Sequence, residues 1–254
     1  MDPLYLVSDI HAGDPAGEPG RRDFLAFLEY LEERRGELFI LGDLFDFWFE
    51  WRHVVPRTGF DILYRLRRLV DAGWRVVFLP GNHDFAPGRF LAEQAGLELP
   101  GEDLILERDG RRFYLAHGDG LAARDRGYRI LKRVLHAPLS QALFRNLLPA
   151  DWGMGLARFT SRGSRRHRRV DRAAWSADYL EAARRRFHEG FDVVALGHVH
   201  EPMLWKDGGH VYANCGDWLE HRSCVVIDAG DPVLADWDRE SGRLRIRRSG
   251  VEQG

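Results

Sequence analysis

Asp9-Ile10-His11, Gly42-Asp43-Leu44-Phe45-Asp46, Gly81-Asn82-His83-Asp84, His117-Gly118-Asp119 and Gly197-His198-Val199-His200 follow one another along the chain, each after an apolar run. Their side chains are carboxylates, an amide and imidazoles, the oxygen and nitrogen donors that hold divalent first-row metals. Asp9 and His11 are two apart, as are His198 and His200, so on an extended strand end each pair points the same way. Asp43 follows a glycine, which lets the backbone bend sharply and come close to ions. Its two carboxylate oxygens suit it to bridge two cations. Asn82 offers a neutral carbonyl oxygen, and His11, His117, His198 and His200 offer imidazole nitrogens. One such motif is weak evidence. Five in order point to a two-metal hydrolytic centre, in which cations about 3.5–4 Å apart lower the pKa of water. His83 is placed to protonate a leaving group or to stabilise developing charge. Asp84 is expected to orient His83 as a hydrogen-bond acceptor. Asp46 reads either as an orienter of a ligand histidine or as a loop cap. The remaining histidines lie apart from these motifs, and no site role is read for them.

Regular elements must deliver these side chains. Leu4 to Val7, Leu38 to Leu41 and Arg75 to Leu79 read as short buried strands ending at Asp9, Asp43 and Asn82. Between them, Asp23–Arg35 and Asp61–Ala72 carry apolar residues at helical spacing, with Gly36 and Gly73 as stops. This βαβαβ alternation argues for parallel strands covered by helices, an α/β class. Asp109-Gly110 marks a hairpin whose second strand, Arg112 to Ala116, delivers His117. Phe191 to Leu196 delivers His198. Four further strands are expected, over 210–213, 223–227, 232–237 and 243–247, with 249–254 frayed.

The 254 residues, 44% of them hydrophobic, suffice for one core with an elaborated insert. No apolar run approaches the roughly 20 residues that span a bilayer, and no secretory signal is read at the N-terminus. Cys215 and Cys224 are expected as reduced thiols in packed positions. A net charge of −2 argues against a general nucleic-acid binder. The distribution is uneven. Residues 121–190 carry sixteen Lys and Arg against six Asp and Glu, and the rest carries twenty-one against thirty-three. A basic helical insert of net +10 therefore sits on an acidic body of net −12. It reads either as solvated helix faces or as a cationic cap over a site for an anionic substrate.

The ordered motifs, from Ser8 to His200, resemble those of the calcineurin-like metallophosphoesterase superfamily. The resemblance implies a four-layer αββα sandwich, with residues 1–120 and 191–248 as core and 121–190 as a basic helical lid insert. It places Asp9, His11, Asp43 and His200 on one metal, and Asp43, Asn82, His117 and His198 on the other, with Asp43 bridging. It implies two divalent ions, typically Mn²⁺.

Three finer features are similar to the UDP-2,3-diacylglucosamine pyrophosphohydrolases of lipid A biosynthesis. They are the aromatic run Phe45-Asp46-Phe47-Trp48, the segment Asn214-Cys215-Gly216-Asp217-Trp218, and the long insert after His117-Gly118-Asp119. That branch cleaves the pyrophosphate of a UDP-linked diacyl sugar. The resemblance carries over Asn82, His83 and Asp125 as substrate contacts. In the insert, Ile130, Leu131, Val134, Leu135, Leu139, Leu143, Phe144, Leu147 and Leu148 form apolar stripes, for a lid's own core or for acyl chains. Arg158, Arg162, Arg165, Arg166, Arg168 and Arg169 suit phosphates or an anionic membrane surface. The expected location is the cytoplasm, with reversible contact at the inner-membrane face; oligomeric state is not legible. The best-known members of that branch carry Arg where this chain has His83. A soluble metallophosphoesterase acting on nucleotides or other small phosphodiesters is therefore the alternative reading.

Overall fold

The computed structural model describes residues 2–122, 129, 132–135, 137–155, 172–247 and 251–253. Their strands are β1 (Leu4–Val7), β2 (Glu37–Leu41), β3 (Arg75–Leu79), β4 (Asp103–Arg108), β5 (Arg111–Ala116), β6 (Val193–Leu196), β7 (Met203–Asp207), β8 (His210–Asn214), β9 (Ser223–Asp228), β10 (Asp231–Asp238), β11 (Arg243–Ile246) and β12 (Val251–Gln253). The helices are α1 (Glu18–Glu32), α2 (Phe60–Asp71), α3 (Arg89–Glu93), α4 (Pro138–Leu147) and α5 (Arg172–His188).

Two six-stranded sheets form, ordered β11-β10-β9-β1-β2-β3 and β12-β7-β8-β6-β5-β4. β1, β2 and β3 are parallel neighbours, as the alternation with α1 and α2 requires. β5, β6 and β8 make the parallel centre of the second sheet. Alternation along each strand builds the layers. Tyr5 and Val7 of β1 face outward into a core with Phe24, Phe27, Leu28 and Leu31 of α1 and Ile62, Leu66 and Leu69 of α2. Leu4 and Leu6 face inward and meet Phe113, Leu115, Val193 and Ala195 between the sheets. On the far side, Tyr114, Val194 and Tyr212 pack against Tyr179, Ala183 and Phe187 of α5. The result is the expected four-layer αββα sandwich.

Several details depart from expectation. α1 begins at Glu18, ahead of its apolar stripe, because Pro19 fits a first turn and Glu18 faces the positive end of the helix dipole. β7 pairs antiparallel with β8, and Val251–Gln253, expected to fray, pairs parallel with β7. α5 lies inside the stretch expected as insert, yet it is a core layer: Tyr179 and Ala183 are fully buried. The Asp109-Gly110 turn has both residues at positive φ, as a two-residue hairpin of this type needs. Cys215 and Cys224 are buried free thiols, and burial pushes both thiol pKa values up.

α4 sits outside the sandwich. Its Phe144 ring lies 4.8 Å from Phe49, 6.0 Å from Trp51 and 6.1 Å from Phe85, seating the helix on the loops after β2 and β3. Arg145 donates from Nε to the Glu50 carbonyl. The rest of its apolar stripe is in solvent: Leu139, Leu143 and Leu147 are exposed, as are Val134, Leu135 and Trp152 nearby in sequence. Among the described residues, no helix is long and apolar enough to cross a membrane. Asp125, Ile130, Leu131 and the arginines from Arg158 to Arg169 lie outside the described residues.

Candidate metal centre

The motif side chains converge at the C-terminal ends of the parallel strands, where open α/β sheets place their sites. Two groups form, each with ligand atoms within 4.8 Å of one another: Asp9, His11 and His200, and Asp43, His117 and His198. A third combination, His11 with Asp46 and His83, shares His11 with the first. Asp9 Oδ1 lies 3.2 Å from His200 Nε2 and 3.7 Å from His11 Nε2. Asp43 Oδ2 lies 3.7 Å from His11 Nε2 and 3.4 Å from His117 Nε2. His117 Nε2 in turn is 3.2 Å from Asn82 Oδ1 and 3.1 Å from His198 Nδ1. Every residue expected from the sequence as a ligand is therefore in this cluster.

The bridge is narrower than two carboxylate oxygens would suggest. Asp43 Oδ1 accepts the His83 N–H at 2.9 Å, so only Oδ2 faces both groups. Asp9 is partitioned in the same way. Its Oδ2 accepts from Ser8 Oγ at 2.6 Å and from His198 N–H at 2.8 Å, which leaves Oδ1 toward the imidazoles.

The backbone is not extended at these positions. Asp9, His11, Asp43, His198 and His200 all have positive φ, between 49° and 70°. Asp and His tolerate this region better than most residues, but it costs of order 1–3 kcal/mol each, so the surrounding structure must impose it. Hydrogen bonds do so: Asp9 N–H donates to the Gly42 carbonyl, and Ile10 and His11 both donate to the Asp43 carbonyl. Glycines permit the close approach. A Cβ on Gly42 would strike the His117 ring, and one on Gly81 would overlap Asp43.

Imidazole orientation is fixed by acceptors. His117 Nδ1 lies 2.8 Å from the Leu41 carbonyl and His83 Nδ1 2.8 Å from the Asp46 carbonyl. A carbonyl only accepts, so both nitrogens carry the proton and both Nε2 atoms face the site. His200 Nδ1 similarly faces Asp217 Oδ2 at 3.1 Å.

The expected Asp84–His83 contact does not form. Asp84 is fully buried and accepts the N–H groups of Leu44, Phe45 and Gly81 instead. It ties the Asp43 loop to the Asn82 loop, and the Asp46 carbonyl takes the place expected for it on His83. The partners explain this: the Asp84 carboxylate is turned to the three amides, while the His83 ring meets the Asp46 carbonyl. Burial first, and the Asp43 charge second, raise the Asp84 carboxyl to about 7 against those three donors.

Electrostatics suit cations. Burial disfavours charge on Asp43, yet His117 and His83 hold its carboxyl well below the usual range. Burial likewise works against a charged His117, but Asp43 and then Asp9 raise it to about 10. Asp9 Oδ1, Asp43 Oδ2 and His11 Nε2 are buried with no hydrogen-bond partner. Such atoms cost about 1–3 kcal/mol each when left unsatisfied. Three of them converging, two anionic and one imidazole, fit divalent cations in place of hydrogen-bond donors.

Two residues with a place near the site were not legible in the sequence. Lys132 Nζ pairs with Asp119 Oδ2 at 2.9 Å and Glu102 Oε2 at 3.0 Å. It lines a cavity of about 180 Å³ with Gly81, Asp84, Phe85, Gln141 and Arg145, between the Asn82 loop and α4. Asp217 is the other: in the sequence it is legible only within the segment Asn214 to Trp218, with no role at the site. Burial opposes its charge, but hydrogen bonds from His200 and His221 hold its carboxyl far below the usual range.

The calcineurin-like phosphoesterase family model matches residues 3–202, the stretch that contains all five motifs. The chain belongs to the calcineurin-like phosphoesterase family. Members of this family use a dinuclear divalent metal site, which the two ligand groups accommodate. Curated relatives extend the match over most of the chain. A UDP-2,3-diacylglucosamine hydrolase of Porphyromonas gingivalis is 31% identical, covering 91% of this chain and 96% of that one. One from Pseudomonas savastanoi is 32% identical, covering 97% and 93%, and one from Neisseria meningitidis serogroup B 30%, covering 92% and 97%. Among solved structures, a Vps29 double mutant from Entamoeba histolytica aligns with a TM-score of 0.49 at 14% identity, covering 96% of this chain and 97% of that one. A likeness at that level bears on nothing in the site. As a calcineurin-like phosphoesterase, the chain is a metal-dependent hydrolase of phosphoesters.

Proposed function

We propose that this phosphoesterase hydrolyses the pyrophosphate of UDP-2,3-diacylglucosamine, giving UMP and 2,3-diacylglucosamine 1-phosphate. The three relatives that carry that substrate in their names, each matched over at least 91% of this chain, support the reading. The observation that carries the chemistry is Asp43 Oδ2, buried without a hydrogen-bond partner between His11 and His117.

Asp9, His11, Asp43 and His200 would hold one divalent ion, and Asp43, Asn82, His117 and His198 the other, with Mn²⁺ the proposed metal. Bound there, the pair supplies Lewis acidity toward water and phosphate oxygens. His83 has a separate part. With Nδ1–H donating to the Asp46 carbonyl, only the imidazolium form can also donate from Nε2. That Nε2 lies 3.9 Å from Asp43 Oδ2, at the edge of the ligand cluster. His83 is thus the proton donor to the departing phosphate oxygen. Asp84 keeps the two loops in register for it.

The exposed stripe Leu139, Leu143 and Leu147 supports a substrate with acyl chains, since an apolar face of this kind marks an interaction site. We place residues 121–171 as the lid and leave α5 with the core. The lid makes reversible contact with the cytoplasmic face of the inner membrane, where the substrate resides; nucleic acid is not a partner. Asp125 is kept as a substrate contact. His83 is the observation that favours the second reading, a soluble enzyme for small phosphodiesters. Phosphorus NMR of the Mn²⁺-loaded protein with the UDP-linked diacyl sugar tests the choice. UMP and the sugar 1-phosphate are expected. Turnover of bis(p-nitrophenyl) phosphate with an intact diacyl substrate would favour the second reading.

A further inference from the structure

Asp217 belongs to neither ligand group, yet its carboxylate is committed on both oxygens. Oδ2 lies 3.1 Å from His200 Nδ1. Oδ1 accepts the N–H groups of Glu220 at 2.8 Å and His221 at 2.9 Å, and lies 3.3 Å from His221 Nδ1. The side chain is 3% exposed. Its loop is stitched to the strand end that carries Asp9: Trp218 N–H donates to the Asp9 carbonyl at 3.1 Å, and Ser8 Oγ reaches the Gly216 carbonyl at 3.2 Å. Trp218 is fully buried against Phe24 and Phe27 of α1, with ring centroids 4.8 and 5.0 Å apart. Asp217, Asp9 and His200 are thereby held in one frame, and Asp217 is set to donate nothing and accept from the ring.

We infer that Asp217 is the positioning residue for His200. It keeps the proton on Nδ1 and the Nε2 lone pair aimed beside Asp9 Oδ1, so that it sets the cation affinity of the Asp9–His11–His200 group alone. The inference rests on the two-ion reading above. The contrast with the other group is structural: His117 takes its orientation from the Leu41 carbonyl, which no side-chain substitution removes. A carboxylate behind a ligand histidine fixes its tautomer and raises its basicity, and losing one lowers metal affinity about 10–100-fold.

Asp217→Asn separates this role from simple support of the turn. Its amide oxygen can still accept from Glu220 and His221. Its NH₂ then faces His200 Nδ1, which must become an acceptor, moving the ring proton to Nε2 and silencing the ligand lone pair. Mn²⁺ is titrated into the purified full-length chain, with binding read by electron paramagnetic resonance and folding by circular dichroism. The wild type is expected to take up two ions. In D217N one of the two affinities falls about 10–100-fold and the other is unchanged, while D217E, which keeps the carboxylate, recovers part of the loss. In a H200A background D217N adds no further loss, because the ring it acts through is gone. Wild-type affinities in D217N, equal weakening of both sites, or the same loss with and without His200 would each overturn the assignment. A wild type that binds no Mn²⁺ is a different result, which removes the two-ion reading and this inference with it.

Discussion

The motif loops and α4 are built by opposite rules. At Asp9 and Asp43 one carboxylate oxygen is held by backbone or hydroxyl donors, and the other is left facing the imidazoles with no hydrogen-bond partner. Three layers of packed apolar residues lie behind them. α4 has no buried residue of its own, touches the body through Phe144 and Arg145, and turns its leucines to solvent. The difference teaches where reaction and selection reside. Under the proposed function, chemistry falls to the rigid strand ends, which a whole family can share, and choice of substrate to a helix that is seated at a few points.

Substitutions break this contrast in graded order. Asp43→Ala has the largest expected effect, because it removes the oxygen that faces both ligand groups: activity falls to background and metal content falls with it, read by phosphate-ester turnover and elemental analysis. His83→Ala keeps both metals and loses about 10²–10⁴-fold in kcat; loss of metal instead would make His83 a ligand. Leu139→Ser with Leu143→Ser leaves turnover of a small diester unchanged and raises KM for the diacyl substrate about tenfold, the scale of one buried leucine. Equal effects on both substrates would place no acyl chain against α4.

The smallest effect is a pH dependence of stability. In the metal-free protein the His117 pKa is raised from 6.5 to about 10, with burial opposing and Asp43 driving the rise. Its contribution to stability is fully present below 6.5 and is lost as pH rises through about 10. Metal binding displaces that proton. Tm of the metal-free protein should therefore fall between pH 7 and pH 10 more steeply than Tm of the Mn²⁺-loaded protein. Parallel curves would show that His117 carries no proton in the metal-free state.

Much of the motif region was legible in the sequence because spacing and donor type survive folding unchanged. Two residues from Asp9 to His11 and two from His198 to His200 put both pairs on one side, although by a left-handed backbone and not by an extended one. At Asp9 and His11 that conformation is held by hydrogen bonds to the Gly42 and Asp43 carbonyls, more than thirty residues away, which no local pattern announces. Asp84 failed as an orienter for a similar reason: two of its three partners lie on the Asp43 loop. Asp217 meets His200 only because the loop after β8 is fastened to β1. α5 was hidden by its charge, since the basic composition of 121–190 masked Tyr179, Ala183 and Phe187 as a core face. β7 was missed because Lys206 and Asp207 dilute its apolar half.

The most direct test of the shared Asp43 oxygen is the electron paramagnetic resonance spectrum of the protein saturated with Mn²⁺. Two ions per chain with the hyperfine pattern of an exchange-coupled pair are predicted for the wild type, and loss of that coupling for Asp43→Ala. Two ions that give only isolated-ion spectra in the wild type would contradict the account.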